Sequence, residues 1–138
     1  MAMPSAANAR RFYRAAKQRF DDALLLLEME RTTAAVYLAG YSVECMIKAL
    51  ILSVIPEVQA EEILGMFRGA RAHDYEWLIR LYVEKGGARM PPHVVPHFAR
   101  VNSWSTDMRY APGTLPAREA KAFVDSATDI ITWADGRL

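Results

Sequence analysis

The sequence has very little cysteine and almost no net charge. A single cysteine, Cys45, among 138 residues excludes an internal disulfide and favours a reducing compartment. Because that thiol lies in a long apolar run, a small buried side chain explains it better than a nucleophile. The 17 basic and 16 acidic residues give a net charge of +1. That balance excludes a strong general attraction to nucleic acid or anionic membranes, although a local basic patch is compatible with it.

Several sequence signals of specific chemistry are also missing. The first residues are small and polar, unlike a signal peptide, and the longest apolar run carries Glu44 and Lys48, which makes it a poor membrane span. There is no phosphate-binding glycine loop, dinucleotide fingerprint or Ser–His–Asp pattern. His93 and His97 lie one helical turn apart, but no third metal ligand is near them in the sequence. We therefore expect a soluble cytoplasmic protein with no membrane, metal or cofactor requirement.

Apolar residues recur at helical spacing, and clean strand alternation is absent. We predict an all-α fold, an antiparallel up-and-down bundle of four main helices plus one short helix, in a single domain spanning residues 1–138. Hydrophobic residues make up 52% of the chain, which suggests an extra buried surface such as an oligomer interface. The leucine run at residues 24–27 is apolar all round, so we expect this end of the first helix to be covered on more than one side.

Capping residues, glycines and prolines predict where the helices begin and end. The first helix is predicted to start at Ser5 or Asn8 and to end near residue 30, and Thr32 or Thr33 is predicted to cap the second. The second helix should end near residue 56, before a short helix within residues 57–67. The third runs from an Asp74 cap to the glycines at 86–87, the fourth begins at the prolines at 91–92, and the last begins at Pro116.

The second predicted helix is apolar on most sides but carries one polar stripe. Its members are spaced i, i+4, i+7 and i+11, so they share a helix face: Tyr37, Tyr41, Glu44 and Lys48. A carboxylate and an amine inside such a helix need partners, because an unpaired buried charge is costly. The stripe therefore predicts a small polar site inside a groove or across an interface.

The longest predicted connection, residues 103–116, contains the pair Arg109-Tyr110. We expect Arg109 to form a bidentate bridge with Glu44 that ties this connection to the second helix, so that Glu44→Ala loosens the bundle. Alternatively, Glu44 lines a nucleotide or RNA cleft, in which Arg109 contacts phosphate and Tyr110 stacks on a base. Lys48 is expected to extend to the groove edge, or else to contact phosphate. The purely structural alternative for Tyr110 is a ring packed into the bundle.

A second candidate pair is His73-Asp74. These residues could exchange protons in catalysis, but a capping aspartate preceded by a loop histidine explains them better.

Three segments together resemble the HEPN domain family. YLAGYSVECMIKALI, HDYEWLI and WSTDMRYAP are similar to that family's second-helix signature, its His-Asp-Leu segment and its late Trp…Arg-Tyr element, in the same order. The resemblance implies an antiparallel helical bundle that pairs into a symmetric dimer, in a mainly prokaryotic family. It also implies one of two roles: a metal-independent RNase of toxin–antitoxin or antiviral systems, or an inactive partner of a small nucleotidyltransferase or a nucleotide binder.

The family's RNases share an arginine followed, after four to six residues, by a histidine at the start of the last helix. Arg109 stands at the arginine position, but Thr114, Leu115 and Pro116 occupy the positions where histidine should follow, and none of them suits acid–base chemistry near neutral pH. A formal match from Arg68 to His73 lies before the third helix, outside the family's position for this motif.

The resemblance therefore favours a non-catalytic or weakly catalytic homodimer that serves as a nucleotide-binding or partner-binding component of a toxin–antitoxin or nucleotidyltransferase-like system. Two alternatives stay open: a degenerate metal-independent RNase that uses Arg109 with another base, for which His73 is a candidate, and a purely structural bundle. The candidate cleft residues are Tyr37, Tyr41, Glu44, Lys48, Arg109 and Tyr110.

Overall fold

A computed structural model describes Pro4 and residues 6–138. Within this part of the chain the structure is helical, with no strand, which confirms the all-α prediction. Its helices are α1 (Ala7–Glu28), α2 (Thr32–Val54), α3 (Ala60–Met66), α4 (Tyr75–Glu84), α5 (Val95–Val101) and α6 (Ala117–Asp135). Three 3-10 turns accompany them, at Glu57–Gln59, Ala70–His73 and Thr106–Tyr110.

Helix α2 is the core of the bundle, packed against α1, α4 and α6, while α5 packs on α6. Small residues at seven-residue spacing on α1, Ala9, Ala16 and Ala23, are fully buried, which lets α1 approach α2 closely. The chain reverses between them at Glu30, whose φ of 61° allows Arg31 N–H to donate to the Leu26 carbonyl (2.9 Å). Helix α2 is long and apolar enough to cross a bilayer, but 83% of that stretch is buried inside the bundle.

Several predicted helix ends need correction. The candidate start at Ser5 lies outside the described residues, and α1 begins at Ala7. The fourth predicted helix begins at Val95 rather than at the two prolines, and it is seven residues long. Residues 92–94 instead form a turn, in which Val94 N–H donates to the Pro91 carbonyl (3.0 Å). The Asp74 cap is confirmed, since its carboxylate accepts from Glu76 N–H at 2.9 Å.

The threonines at the start of α2 do not cap it as predicted. The Thr32 hydroxyl donates to the Leu115 carbonyl (2.7 Å) and the Thr33 hydroxyl to the Gly113 carbonyl (3.1 Å). The Leu115 N–H donates back to Thr33 Oγ1 at 3.2 Å. These hydroxyls therefore hold the connection before α6 against the start of α2, because its irregular backbone otherwise lacks partners.

The exposure of the leucine run also differs from the prediction. Within the monomer, Leu24 is 40% exposed and Leu25 is 59% exposed, so this end of α1 is open on one side.

A tryptophan fixes the connection between α5 and α6. The Trp104 ring stacks between Tyr37 and Tyr75, with centroid separations of 5.9 and 5.5 Å. Its indole N–H donates to the Tyr37 carbonyl (3.0 Å), and Tyr75 Oη donates to the Gly40 carbonyl (2.7 Å). The ring can lie this close to α2 only because Gly40 has no side chain: a Cβ built there would lie 2.1 Å from Trp104 Cδ1.

We predict that Gly40→Ala destabilises the protein by about 1–3 kcal/mol, because the new methyl group overpacks a filled site and displaces the indole. Urea denaturation followed by circular dichroism measures the loss. The matched control is Gly65→Ala in α3, where a Cβ would meet no atom within 4 Å and the added helix propensity should stabilise slightly. Equal stability of the Gly40→Ala variant and the wild type would contradict this packing.

Candidate functional site

The polar stripe of α2 holds a buried ion pair. The Glu44 side chain is 2% exposed, and its Oε2 lies 2.7 Å from Lys48 Nζ, one helical turn further along. Its other oxygen, Oε1, lies 2.8 Å from Nδ1 of His73, in the 3-10 turn before α4. Both carboxylate oxygens are therefore bonded, so the cost of burying the charge is offset inside the bundle.

The expected bridge between Glu44 and Arg109 is wrong. Arg109 is exposed; its Nε donates to the Thr106 carbonyl (3.0 Å), and its guanidinium lies 5.4 Å from the Tyr110 ring centroid. The local i, i+4 contact with Lys48 already neutralises the carboxylate, which removes the need for a distant guanidinium. Tyr110 is 76% exposed, so it does not pack into the bundle either.

Lys48 does not extend to the groove edge as expected, since only 5% of it is exposed. Its ammonium lies 5.2 Å from the Phe67 ring centroid and 6.0 Å from that of Phe12. These two rings meet edge to face at 5.8 Å and cover the amine from α1 and from the end of α3. Lys48 is therefore an internal counter-ion and does not reach a ligand.

His73 is the one member of this network that reaches solvent, with 41% of its side chain exposed. Because an ionised carboxylate can only accept hydrogen bonds, the proton of a neutral His73 ring lies on Nδ1, and Nε2 keeps a free lone pair. A carboxylate that orients an imidazole in this way is the arrangement a general base requires. The Glu44–His73 contact thus gives the site a defined proton acceptor.

A polar cleft of about 520 Å³ opens beside His73, between the start of α4 and the 3-10 turn at Thr106–Tyr110. Its lining is rich in hydrogen-bonding groups and carboxylates: His73, Asp74, Glu76, Asn102, Ser105, Thr106 and Asp107. Arg109 is not among the lining residues, but its side chain bonds to the carbonyl of Thr106, which is one of them. Among the described residues, no group of three His, Cys, Asp or Glu side chains could hold a metal ion.

Burial and nearby charges raise the pKa values of three groups close to Glu44. Burial, followed by the Glu44 charge, raises the pKa of Cys45 to about 12, so its thiol stays protonated and is a poor nucleophile, as the sequence suggested. Burial and then Glu44 raise the pKa of Tyr75 well above its ordinary value. The pKa of Tyr41 is raised too, first by the nearby Cys45, then by burial and Glu44. These groups therefore remain neutral around Glu44.

The structure brings only part of the predicted site together. Glu44, Lys48 and His73 form one network, whereas Tyr37 packs on Trp104. Sequence reasoning missed the Glu44–Lys48 pair, which its i, i+4 spacing signalled. It also missed the Glu44–His73 contact, which no local pattern reveals.

His93 and His97, one helical turn apart in the sequence, have different surroundings in the structure. His93 is exposed, but His97 links α5 to α6, through Ser126 Oγ at 3.1 Å and Asp129 Oδ2 at 3.2 Å.

Comparison with known proteins gave one match. The sequence model of the HEPN domain matches residues 9–137, nearly the whole chain. No curated protein and no solved structure matches the chain.

Proposed function

Because the chain belongs to the HEPN domain family, we propose that it works as a cytoplasmic homodimer that binds a nucleotide or an RNA segment. In this proposal it is a non-catalytic or weakly catalytic component of a toxin–antitoxin or nucleotidyltransferase-like system and acts with a partner protein. The observation that carries the nucleotide-binding proposal is the exposed Arg109–Tyr110 pair, which lies in the same 3-10 turn as two residues that line the polar cleft, Thr106 and Asp107.

The two exposed side chains suit the two ends of a nucleotide. The Arg109 guanidinium is held by the Thr106 carbonyl and by contact with Tyr110, so a planar phosphate-binding group is prepositioned outside the bundle. The Tyr110 ring is free to stack on a base.

The carboxylates in the cleft repel phosphate, so we expect the phosphate to bind outside the cleft, at Arg109. Carboxylates accept hydrogen bonds from ribose hydroxyls and exocyclic amines, so Glu76 and Asp107 suit the nucleoside end of the same ligand.

The exposed apolar end of α1 supports the dimer. Leu25 is 59% exposed and Met29 is 66% exposed, one helical turn apart, with Leu24 beside them at 40%. Adjoining exposed apolar residues of this kind mark interaction surfaces. A second copy of the chain would cover the side of the leucine run that the monomer leaves open.

A specific observation favours weak RNase activity as the second candidate function. The Glu44 carboxylate orients His73, and His73 lines the same cleft as Thr106, whose carbonyl accepts from Arg109 Nε. An imidazole base and a guanidinium are the groups that a metal-independent RNase uses. The pair differs from the family's motif, because His73 precedes Arg109 in the chain.

Binding of fluorescently labelled ATP, followed by polarisation, tests the nucleotide site. We expect Arg109→Ala and Tyr110→Ala each to weaken binding by roughly tenfold, because each removes one charge-assisted or stacking contact. The matched control is Arg89→Ala, which removes an exposed arginine from the connection between α4 and α5, and it should bind ATP as the wild type does. Absence of ATP binding by the wild type, or equal losses in all three variants, would contradict the proposal.

Incubation of the wild type, His73→Asn and Arg109→Ala with mixed RNA separates the two candidate functions. The first candidate predicts little or no cleavage, whereas cleavage that disappears in both His73→Asn and Arg109→Ala would favour the RNase.

For the dimer, light scattering should give twice the chain mass of 15.5 kDa. Leu25→Glu should shift the protein towards the monomer, because it places a charge in the proposed apolar interface. Val58→Glu is the control, since Val58 is 89% exposed but lies outside this patch. A monomer mass for the wild type at every concentration would remove the interface.

A further inference from the structure

Helix α1 is divided into two halves of opposite charge. Before residue 20 the charged side chains of α1 are all basic, and after it they are all acidic. The basic members are Arg10, Arg11, Arg14, Lys17 and Arg19, and the acidic members are Asp21, Asp22 and Glu28. A helix dipole favours acids near the start and bases near the end, so this order is the reverse of what stabilises an isolated helix. The distribution therefore needs a partner outside α1 to explain it.

The face of α1 that points away from the bundle carries both halves of this pattern. Along the middle of this face, exposed side chains recur at helical spacings of four or seven residues, at Ala7, Arg11, Gln18, Leu25 and Met29. The buried alanines of α1 lie on the opposite side of the helix, against α2. We call this set of five residues the outer stripe; it is flanked by three more exposed side chains, Arg14, Asp21 and Asp22.

Gln18 separates two unlike halves of this surface. On the side towards the start of α1 stand Arg11 and Arg14, and neither forms an ion pair with any described residue. On the side towards the end, the surface is first acidic and then apolar, with Asp21, Asp22 and Leu25. Each half therefore supplies the charge that the other half lacks.

We propose that α1 pairs with α1 of a second copy of the chain, in antiparallel orientation, about a two-fold axis beside Gln18. A two-fold interface sets residue i against j and residue j against i, so side chains equally far from Gln18 in opposite directions lie level. Arg14 then lies level with Asp21 and Asp22 of the second copy, and this arrangement occurs twice. The inference rests on the homodimer of the proposed function and deepens it, since it names the helix, the direction and the register of the pairing.

The apolar end of the outer stripe is covered in the same register. Leu25 of one copy lies level with Arg11 of the other, whose methylene stem can pack on the leucine while the guanidinium stays in water. Met29 lies level with Ala7, whose small side chain leaves room for it. The side chains that are 59% and 66% exposed in the monomer, Leu25 and Met29, are both buried by this pairing.

The charges select both the direction of pairing and the identity of the partner. A parallel pair of α1 helices would set Arg14 against Arg14 and Asp22 against Asp22, which is repulsive, whereas the antiparallel pair sets unlike charges and opposed helix dipoles side by side. A foreign acidic partner would satisfy the arginines alone. A second copy satisfies the basic, acidic and apolar parts of this surface together.

Charge reversal followed by sedimentation equilibrium tests the pairing. We expect Arg14→Glu, and likewise Asp21→Arg/Asp22→Arg, to raise the dimer dissociation constant by roughly tenfold, because each places like charges across the interface twice. Combining the three substitutions restores opposite charges and should return the constant close to its wild-type value. The matched control is Arg118→Glu, at an exposed position of α6, which should leave the constant unchanged.

Cysteine cross-linking with a short bismaleimide tests the register. A residue beside the two-fold axis meets its own copy, so Gln18→Cys should cross-link. The two copies of residue 7, and likewise those of residue 29, would lie about 33 Å apart along the helices at a rise of 1.5 Å per residue. Ala7→Cys and Met29→Cys should therefore not cross-link singly, whereas Ala7→Cys/Met29→Cys should. The wild type gives the background, since its Cys45 is 3% exposed.

Rescue by the combined charge reversal, together with cross-linking at position 18, supports the α1 pairing. A wild-type dimer overturns the pairing if Arg14→Glu leaves its dissociation constant unchanged, if the combined variant is not rescued, or if Gln18→Cys fails to cross-link; the homodimer then forms through another surface. A monomeric wild type overturns the pairing and the homodimer together. Binding of labelled ATP reports separately on the nucleotide site, so failure of that site gives a different result.

Discussion

The buried carboxylate of Glu44 is the constraint around which the bundle is arranged. A charge with 2% exposure is tolerated only if its oxygens are bonded, and the bundle supplies an amine from α2 and an imidazole from the turn before α4. The amine is in turn covered by Phe12 and Phe67. One acidic group therefore links α1, the end of α3 and the start of α4 to the central helix.

The packing of Trp104 on Gly40 holds the connection before α6 in place. With Trp104 seated against α2 and the threonine hydroxyls bonded to residues 113 and 115, this connection needs no ion pair to the core. Arg109 and Tyr110 are consequently exposed outside the bundle. Because Arg109 does not bridge to Glu44, its guanidinium is available to a ligand, and this is the basis of the proposed function.

Helical periodicity was sufficient to predict the all-α fold, and local side-chain rules were sufficient to predict the Asp74 cap, because both depend on neighbours within one or two turns. The pairing of Glu44 was predicted wrongly because charge matching alone cannot choose among seventeen basic residues and three histidines. One true partner, Lys48, lies one helical turn away, and its i, i+4 spacing was not recognised as a pairing. The other, His73, lies 29 residues away in the sequence. The packing of Trp104 on Gly40 could not be predicted either, because nothing in the local sequence shows which ring packs on a glycine within a helix.

The pairing of Glu44 with Lys48 is tested most directly by a double-mutant cycle measured by urea denaturation. Lys48→Met alone should cost about 3–5 kcal/mol, because it leaves a buried carboxylate without its cation. Glu44→Gln/Lys48→Met removes both charges and should be more stable than Lys48→Met alone. If the two single substitutions instead add without coupling, or if Lys48→Met is as stable as the wild type, the buried ion pair does not organise this bundle.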